Sequence, residues 1–253
     1  MTSHHSDAFR RLGAAFAAGG GRYDRLRPGY PEQAVSWLLE GMPNDGVVVD
    51  IGAGTGKLTL AMAARGYDVI AVDPSADMLD QLSRRSPTTM TKVGTGEATG
   101  LPDDVADLVT FAQSWHWVDP VAGVTEILRI LKPGGSAGWI WNFMDVREPW
   151  VAQLAEIWHT VAGDDAIRAT RNRPGVGPPF GALESITIDW SLPMSMGDLA
   201  ELATTRSYYL NASETEQLQI RNEVAAYLLS QFGEAVTVDL PYRTHCFRAA
   251  LHA

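Results

Sequence analysis

The sequence predicts an α/β fold, a three-layer α-β-α sandwich with helices on both faces of a mostly parallel sheet. Three observations carry that prediction. Short apolar runs of strand length alternate with longer stretches of helical periodicity from about residue 31 to residue 141. The first run, Val47–Ile51, carries an acid near its end and passes directly into a glycine-rich turn. Lys132-Pro133-Gly134-Gly135 closes a helical stretch just before another apolar run, as a helix stop and turn.

The elements follow in order. Asp7–Ala18 reads as a short helix, followed by the joint Gly19-Gly20-Gly21. Arg22–Pro31, with two prolines and two tyrosines, reads as an ordered loop, and Pro31 sits at the start of a helix through Leu39. Val47–Ile51, Asp68–Val72, Thr89–Val93, Asp107–Phe111 and Ala137–Trp141 read as five strands. Lys57–Arg65, Ala76–Arg84 and Pro120–Ile130 read as the intervening helices. Beyond Asn142 the periodicity weakens. Helices are expected at Pro149–Val161, Met196–Thr204 and Ser213–Ser230, a loop at Arg171–Gly181, and two last strands at Ser185–Trp190 and Ala235–Leu240. The chain thus reads as a single domain over residues 1–253, with a core at about 32–145, an N-terminal lid at 1–31 and a cap and sheet-completing region at 146–253.

Bulk properties narrow the function classes. A chain of 253 residues is long enough to bury a full core without staples. The net charge of −10 argues against a large nucleic-acid footprint, which needs clustered Lys and Arg. No apolar run approaches the ~20 residues of a membrane span, so no membrane partner is expected. Residues 1–21 lack the charged start and long apolar core of a secretory signal. The single cysteine, Cys246, cannot form an internal disulfide, and a cytoplasmic location is the expectation. No residue spacing suggests a metal site.

The most informative stretch is Asp50-Ile51-Gly52-Ala53-Gly54-Thr55-Gly56. Glycines at alternate positions permit a tight turn and let a ligand approach the backbone. The spacing is G-x-G-x-G, with an acid two residues before it, and not the G-x-G-x-x-G of dinucleotide enzymes. Asp73 ends the second strand, 23 residues after Asp50. A carboxylate there is placed to accept from both hydroxyls of a ribose. Met78, one turn into the next helix, is placed either to pack on adenine or to fill core. Gly94-Thr95-Gly96-Glu97-Ala98 follows the third strand; Glu97 would accept from the adenine amino group and the Ala98 N–H would donate to the ring, the bland alternative being surface charge.

Together these motifs resemble the class I S-adenosylmethionine-dependent methyltransferases, in the subgroup called type 11, over about residues 20–145. Tyr23, Arg27-Pro28-Gly29-Tyr30-Pro31 and Gln113-Ser114-Trp115-His116-Trp117 are similar to the small group that includes trans-aconitate methyltransferase-like proteins. The resemblance implies a seven-stranded Rossmann-like sheet and a small-molecule acceptor methylated by direct in-line displacement. It also implies cofactor contacts from Arg27, Asp50, Gly52, Ala53, Gly54, Gly56, Asp73, Pro74, Met78, Glu97, Ala98 and Gln113. The implied product is S-adenosylhomocysteine.

The acceptor is expected beside the glycine turn, over the carboxyl ends of the strands. Tyr23, Trp115, His116, Trp117 and Trp141 are the candidate pocket residues. His116 is the candidate catalytic base for a hydroxyl; a carboxylate acceptor is already anionic and needs none. Arg27 is suited to hold the methionine carboxylate bidentately, or is a surface arginine in a polar loop. Two competing readings remain at this point: a non-catalytic cofactor-binding regulator that kept the fold, and a nicotinamide-dependent oxidoreductase, which the glycine spacing disfavours.

Overall fold

The structure is a computed structural model that describes residues 26–158, 174–205, 209–210 and 212–252. The helix expected at Asp7–Ala18, Tyr23 and most of the lid at 1–31 lie outside these residues. The elements are α1 (Glu32–Leu39), β1 (Val47–Ile51), α2 (Lys57–Ala63), β2 (Asp68–Asp73), α3 (Ala76–Arg85), β3 (Met90–Val93) and β4 (Ala106–Ala112). A 3-10 turn (Trp115–Trp117) leads to α4 (Pro120–Ile130) and β5 (Leu131–Met144). Then come α5 (Pro149–Ile157), β6 (Glu184–Ser195), α6 (Met196–Leu202), a second 3-10 turn (Ala203–Thr205), α7 (Glu214–Phe232) and β7 (Thr237–Ala250).

The seven strands lie in the order β3-β2-β1-β4-β5-β7-β6. The pairs β1–β2, β1–β4, β2–β3 and β4–β5 are parallel. The Leu251 N–H donates to Gly135 O and the Asp145 N–H to Pro241 O, so β7 runs antiparallel to β5. The strand order reverses beside β1, which places the ends of β1 and β4 at the sheet's switch point. This is the expected mostly parallel α/β sandwich.

Local chemistry explains the boundaries. Ser75 caps α3, accepting from the Met78 N–H, and Asp119 caps α4, accepting from the Val121 and Ala122 N–H groups. Ser213 and Glu216 close a reciprocal capping box at α7. Two expectations are corrected. Lys132-Pro133-Gly134-Gly135 is not a turn ahead of the strand but a bulge inside β5: the pairing steps from Ala106↔Leu131 to Leu108↔Ser136, five residues of β5 against two of β4. The last two strands are also longer than expected, β7 continuing through Pro241 to Ala250.

The chain divides into two compact units. The described part of the first is residues 29–142, 174–188 and 244–252. Its main core packs Val35 and Leu38 of α1 and Leu58 and Met62 of α2 on Val48, Leu108, Ile140 and Cys246 of the sheet. Cys246 is fully buried, and loss of water pushes its thiol pKa up to about 12. A smaller cluster joins Ala71, Leu79 and Leu82. Asp107 accepts from the Val47 N–H at 2.8 Å and from Lys132 Nζ at 2.7 Å, tying the starts of β1, β4 and β5.

The described part of the second unit is residues 26–28, 143–158, 189–205, 209–210 and 212–243. Val151 and Leu154 of α5, Leu199 and Leu202 of α6, and Val224 and Leu228 of α7 form its core. Trp190 stacks on Tyr242 and Trp150 meets Phe232 edge-on. Among the described residues no helix is long and apolar enough to cross a membrane.

Candidate active site

The glycine turn forms at the carboxyl end of β1. Gly52, Gly54 and Gly56 all have positive φ (71°, 56° and 87°), a conformation that side chains rarely tolerate. Their surroundings differ. A Cβ at Gly52 would fall 2.3 Å from Ser114 Cβ, and one at Gly56 2.3 Å from Leu82 Cδ1. A Cβ at Gly54 would meet no atom closer than Met78 Sδ, at 3.6 Å. The outer glycines are therefore required by protein packing, whereas a Cβ at the middle one would meet only Met78, at ordinary contact distance.

Asp73 lies against this turn at the end of β2. Its Oδ2 accepts from the Gly54 N–H and its Oδ1 from the Ser75 N–H, both at 2.8 Å. The Gly52 and Ala53 N–H groups both donate to Val72 O, so the turn rests on the end of β2. Burial raises the Asp73 pKa above its ordinary value, against the lowering effect of the two backbone donors. Pro74 beside it is exposed, and Met78 is half-buried. These are the expected neighbours, and the structure brings them together.

Asp50 is not among them. It is fully buried, with Oδ2 accepting from Thr59 Oγ1 at 2.6 Å and Oδ1 from Thr110 Oγ1 at 2.9 Å. The expected direct contact is corrected to a supporting place beneath the turn, because both oxygens already face partners in the interior. Desolvation pushes its pKa up to about 6, from an ordinary 3.8. A group whose pKa is higher folded than unfolded stabilises the fold below its unfolded pKa and loses that contribution as pH rises through the folded value. At about 1.4 kcal/mol per pH unit, the interval corresponds to about 3 kcal/mol. Asp50→Asn should therefore gain stability relative to the parent as pH rises from 4 to 7, by about 1–3 kcal/mol. Denaturant midpoints at several pH values measure it, and a pH-independent difference would refute this account of Asp50.

The loop after β3 also differs in part from expectation. Glu97 Oε1 accepts from the Asp119 N–H at 2.9 Å, so its carboxylate orders the start of α4. The Ala98 N–H, expected to face a ring, donates to Thr95 O at 3.2 Å, while the Thr95 N–H donates back to Ala98 O. The loop satisfies its own backbone. Its end is anchored by a network that sequence reasoning missed: Glu126 Oε1 accepts from the Thr99 N–H (2.8 Å) and from Thr99 Oγ1 (2.5 Å), and Arg129 pairs with Glu126 and with Asp103. These donors hold the Glu126 pKa down at about 2 in spite of desolvation.

Past β4, Gln113 adopts φ +60°, and its Nε2 donates to Asn142 O at 3.0 Å. Ser114, also missed, donates from Oγ to Ile51 O at 2.6 Å. Trp115 is not a pocket wall. It is buried, edge-on to Phe111 (4.8 Å) and Trp139 (5.7 Å). Trp141 is likewise buried, edge-on to Phe247, so both expectations for a lining role are corrected to core. Next to Trp115, His116 is exposed and Trp117 is 41% exposed, the two rings 4.9 Å apart. Arg27 belongs to the second unit, where its guanidinium donates to Thr205 O at 3.1 Å. Among the described residues there is no cluster of three His, Cys, Asp or Glu able to hold a metal ion.

Comparison with known proteins places this geometry. Residues 49–137 match the family described as methyltransferase domain. An uncharacterized methyltransferase of Mycobacterium tuberculosis is 37% identical over 96% of this chain and 98% of its own length. An uncharacterized methyltransferase-like protein of Schizosaccharomyces pombe is 29% identical over 89% of this chain and 91% of its own. Among solved structures, phosphoethanolamine N-methyltransferase 2 of Haemonchus contortus in complex with S-adenosyl-L-methionine superposes with a TM-score of 0.53 at 17% identity, over 94% of this chain and 57% of that one, a likeness of fold. The glycine turn and Asp73 sit at the switch point of a sheet that runs 3-2-1-4-5-7-6, in a sequence shared end to end with methyltransferases, and the chain belongs to the class I S-adenosylmethionine-dependent methyltransferases.

Proposed function

We propose that the enzyme methylates a small-molecule acceptor, through a carboxylate or hydroxyl oxygen, by direct in-line displacement. The observation behind this reading is the cradle around Gly54, whose N–H is held on Asp73 while the space beyond its Cα is bounded only by Met78. The cradle fits S-adenosylmethionine. Each Asp73 oxygen has one backbone donor and a lone pair left for a ribose hydroxyl. Met78 offers a polarizable thioether to a flat ring.

In this reading Gly52, Ala53, Gly54 and Gly56 shape the turn, and Asp73 with Pro74 takes the ribose. Met78, Glu97 and Ala98 border the adenine, and Gln113 borders the methionine moiety. The cofactor supplies an electrophilic methyl group on a positively charged sulfur. The chain's part is to hold both reactants, align them and exclude water. A hydroxyl acceptor gives its proton to His116 Nδ1 or Nε2, whichever is unprotonated; a carboxylate acceptor leaves His116 with no proton to take. The exposure of His116 and Trp117 supports their placement at the acceptor side.

The test is incubation of the protein with methyl-labelled S-adenosylmethionine and a metabolite extract, with parallel samples of total protein and nucleic acid. Label should appear in a small-molecule fraction. Label confined to protein or nucleic acid would overturn the acceptor class.

A further inference from the structure

Gln113 and Asp104 are the two non-glycine residues with positive φ among those described. A side-chain-bearing residue stays in that conformation only where its surroundings fix it, and such positions cluster at functional sites. The surroundings of Gln113 are unusual. Its N–H donates to Ile140 O at 2.9 Å, and its side chain to Asn142 O at 3.0 Å. Asn142 in turn donates from Nδ2 to Gly29 O at 2.8 Å and accepts at Oδ1 from Thr244 Oγ1 at 2.7 Å. One residue thus holds three segments that are remote in sequence. Gly29, Asn142 and Thr244 are each a residue at which the chain enters or leaves the first unit.

The chain of contacts continues toward the cofactor turn. Ser114, next after Gln113, bonds Ile51 O, and its Cβ occupies the space that a side chain at Gly52 would need. Contacts therefore run from Gly29 through Asn142, Gln113 and Ser114 to Gly52, all within one unit. The Asn142 side-chain bonds are not part of any strand ladder, so the sheet can form without them.

We propose that Asn142 is a positioning residue for cofactor binding: its side chain, tied to Gly29 and Thr244, holds in place the backbone carbonyl that accepts from Gln113, and so sets the Gln113–Trp117 turn against the glycine loop. This rests on the assignment of the Gly52–Asp73 region to the cofactor. Asn142→Ala removes both side-chain ties, and Asn142→Asp turns the donor facing Gly29 O into an acceptor. Both variants should bind S-adenosylhomocysteine about three- to tenfold more weakly by calorimetry, the size of one or two net hydrogen bonds. Amide exchange should quicken at Gly29 and Tyr30 and also across Ser114–Trp117. A residue that merely stabilised the fold would lower the melting temperature and leave affinity unchanged well below it.

Affinity within twofold of the parent, or faster exchange confined to Gly29 and Tyr30, would overturn the proposal. Should Asn142→Ala fail to fold, Thr244→Val deletes a single tie at nearly constant shape. It should weaken binding in the same direction, and unchanged affinity would again overturn the role. Failure of the parent protein to bind S-adenosylhomocysteine would instead overturn the cofactor assignment, so the two failures are distinguishable.

Discussion

Asp73→Ala should weaken binding of S-adenosylmethionine and S-adenosylhomocysteine by about ten- to a hundredfold, the largest loss expected from any single polar substitution in the site. Two effects act together. The carboxylate is assigned to the ribose, and a charged hydrogen bond is worth about 1.5–3 kcal/mol. It also accepts from the Gly54 and Ser75 N–H groups, so its removal leaves two backbone donors facing the site and loosens the Gly54 end of the turn, while the Gly52 and Ala53 N–H groups stay on Val72 O. Asp73→Asn keeps one acceptor oxygen and should fall between the parent and alanine variants. Calorimetry with S-adenosylhomocysteine, alongside a thermal melt to establish folding, measures the effect. A folded alanine variant with the parent's affinity would remove Asp73 from the cofactor site.

The glycine turn allows a second large effect to be dissected. Gly52→Ala should destabilise the fold by about 2–5 kcal/mol, adding about 1–2 for the left-handed backbone to about 1–3 for overpacking. The overlap is with Ser114 Cβ at 2.3 Å, an atom fixed to the backbone that cannot swing away. Gly54→Ala has the backbone term alone, about 1–2 kcal/mol, because its new methyl would lie 3.6 Å from Met78. That methyl would, however, stand in the space assigned to the cofactor, so the smaller stability loss should come with the larger relative loss of binding. Combining Gly52→Ala with Ser114→Gly should recover the overpacking part, measured against Ser114→Gly alone in a double-mutant cycle. Equal destabilisation by the two alanines, with no recovery in the cycle, would contradict this division of labour.

The parallel half of the sheet was legible because buried parallel strands read as apolar runs, and Val47–Ile51 and Pro120–Ile130 have the same limits in sequence and structure. The carboxyl-terminal half was read less well for a definite reason. Val238, Leu240, Tyr242, Thr244 and Cys246 are buried at alternate positions, yet Pro241 and Arg243 between them look like a strand's end. Pro241 needs only its carbonyl there, which accepts from Asp145. The turn and its acid were legible as a spacing of glycines and carboxylates.

The supporting hydroxyls were not. Thr59, Thr110 and Ser114 meet Asp50 and Ile51 across 9, 60 and 63 positions, and no local pattern marks them. Trp115 and Trp141 show a second limit. An aromatic residue at a strand's end suits either a pocket or a core, and the choice depends on Phe111, Trp139 and Phe247, which only the assembled sheet brings to them.

The burial of Cys246 has a consequence for handling the protein. The chain's single sulfhydryl, on β7 next to the edge strand, lies in the core that α1 and α2 share with the sheet, with its ionisation suppressed until about pH 12. The thiolate is the species that reacts with alkylating agents and disulfides. At neutral pH the folded enzyme therefore presents neither an accessible nor an ionised nucleophile, and a reagent gains its target only while the core around Cys246 is open. Covalent labelling of this protein is thus a clock for the opening of that core, and the rate at which label accumulates counts excursions that leave no trace in the average structure.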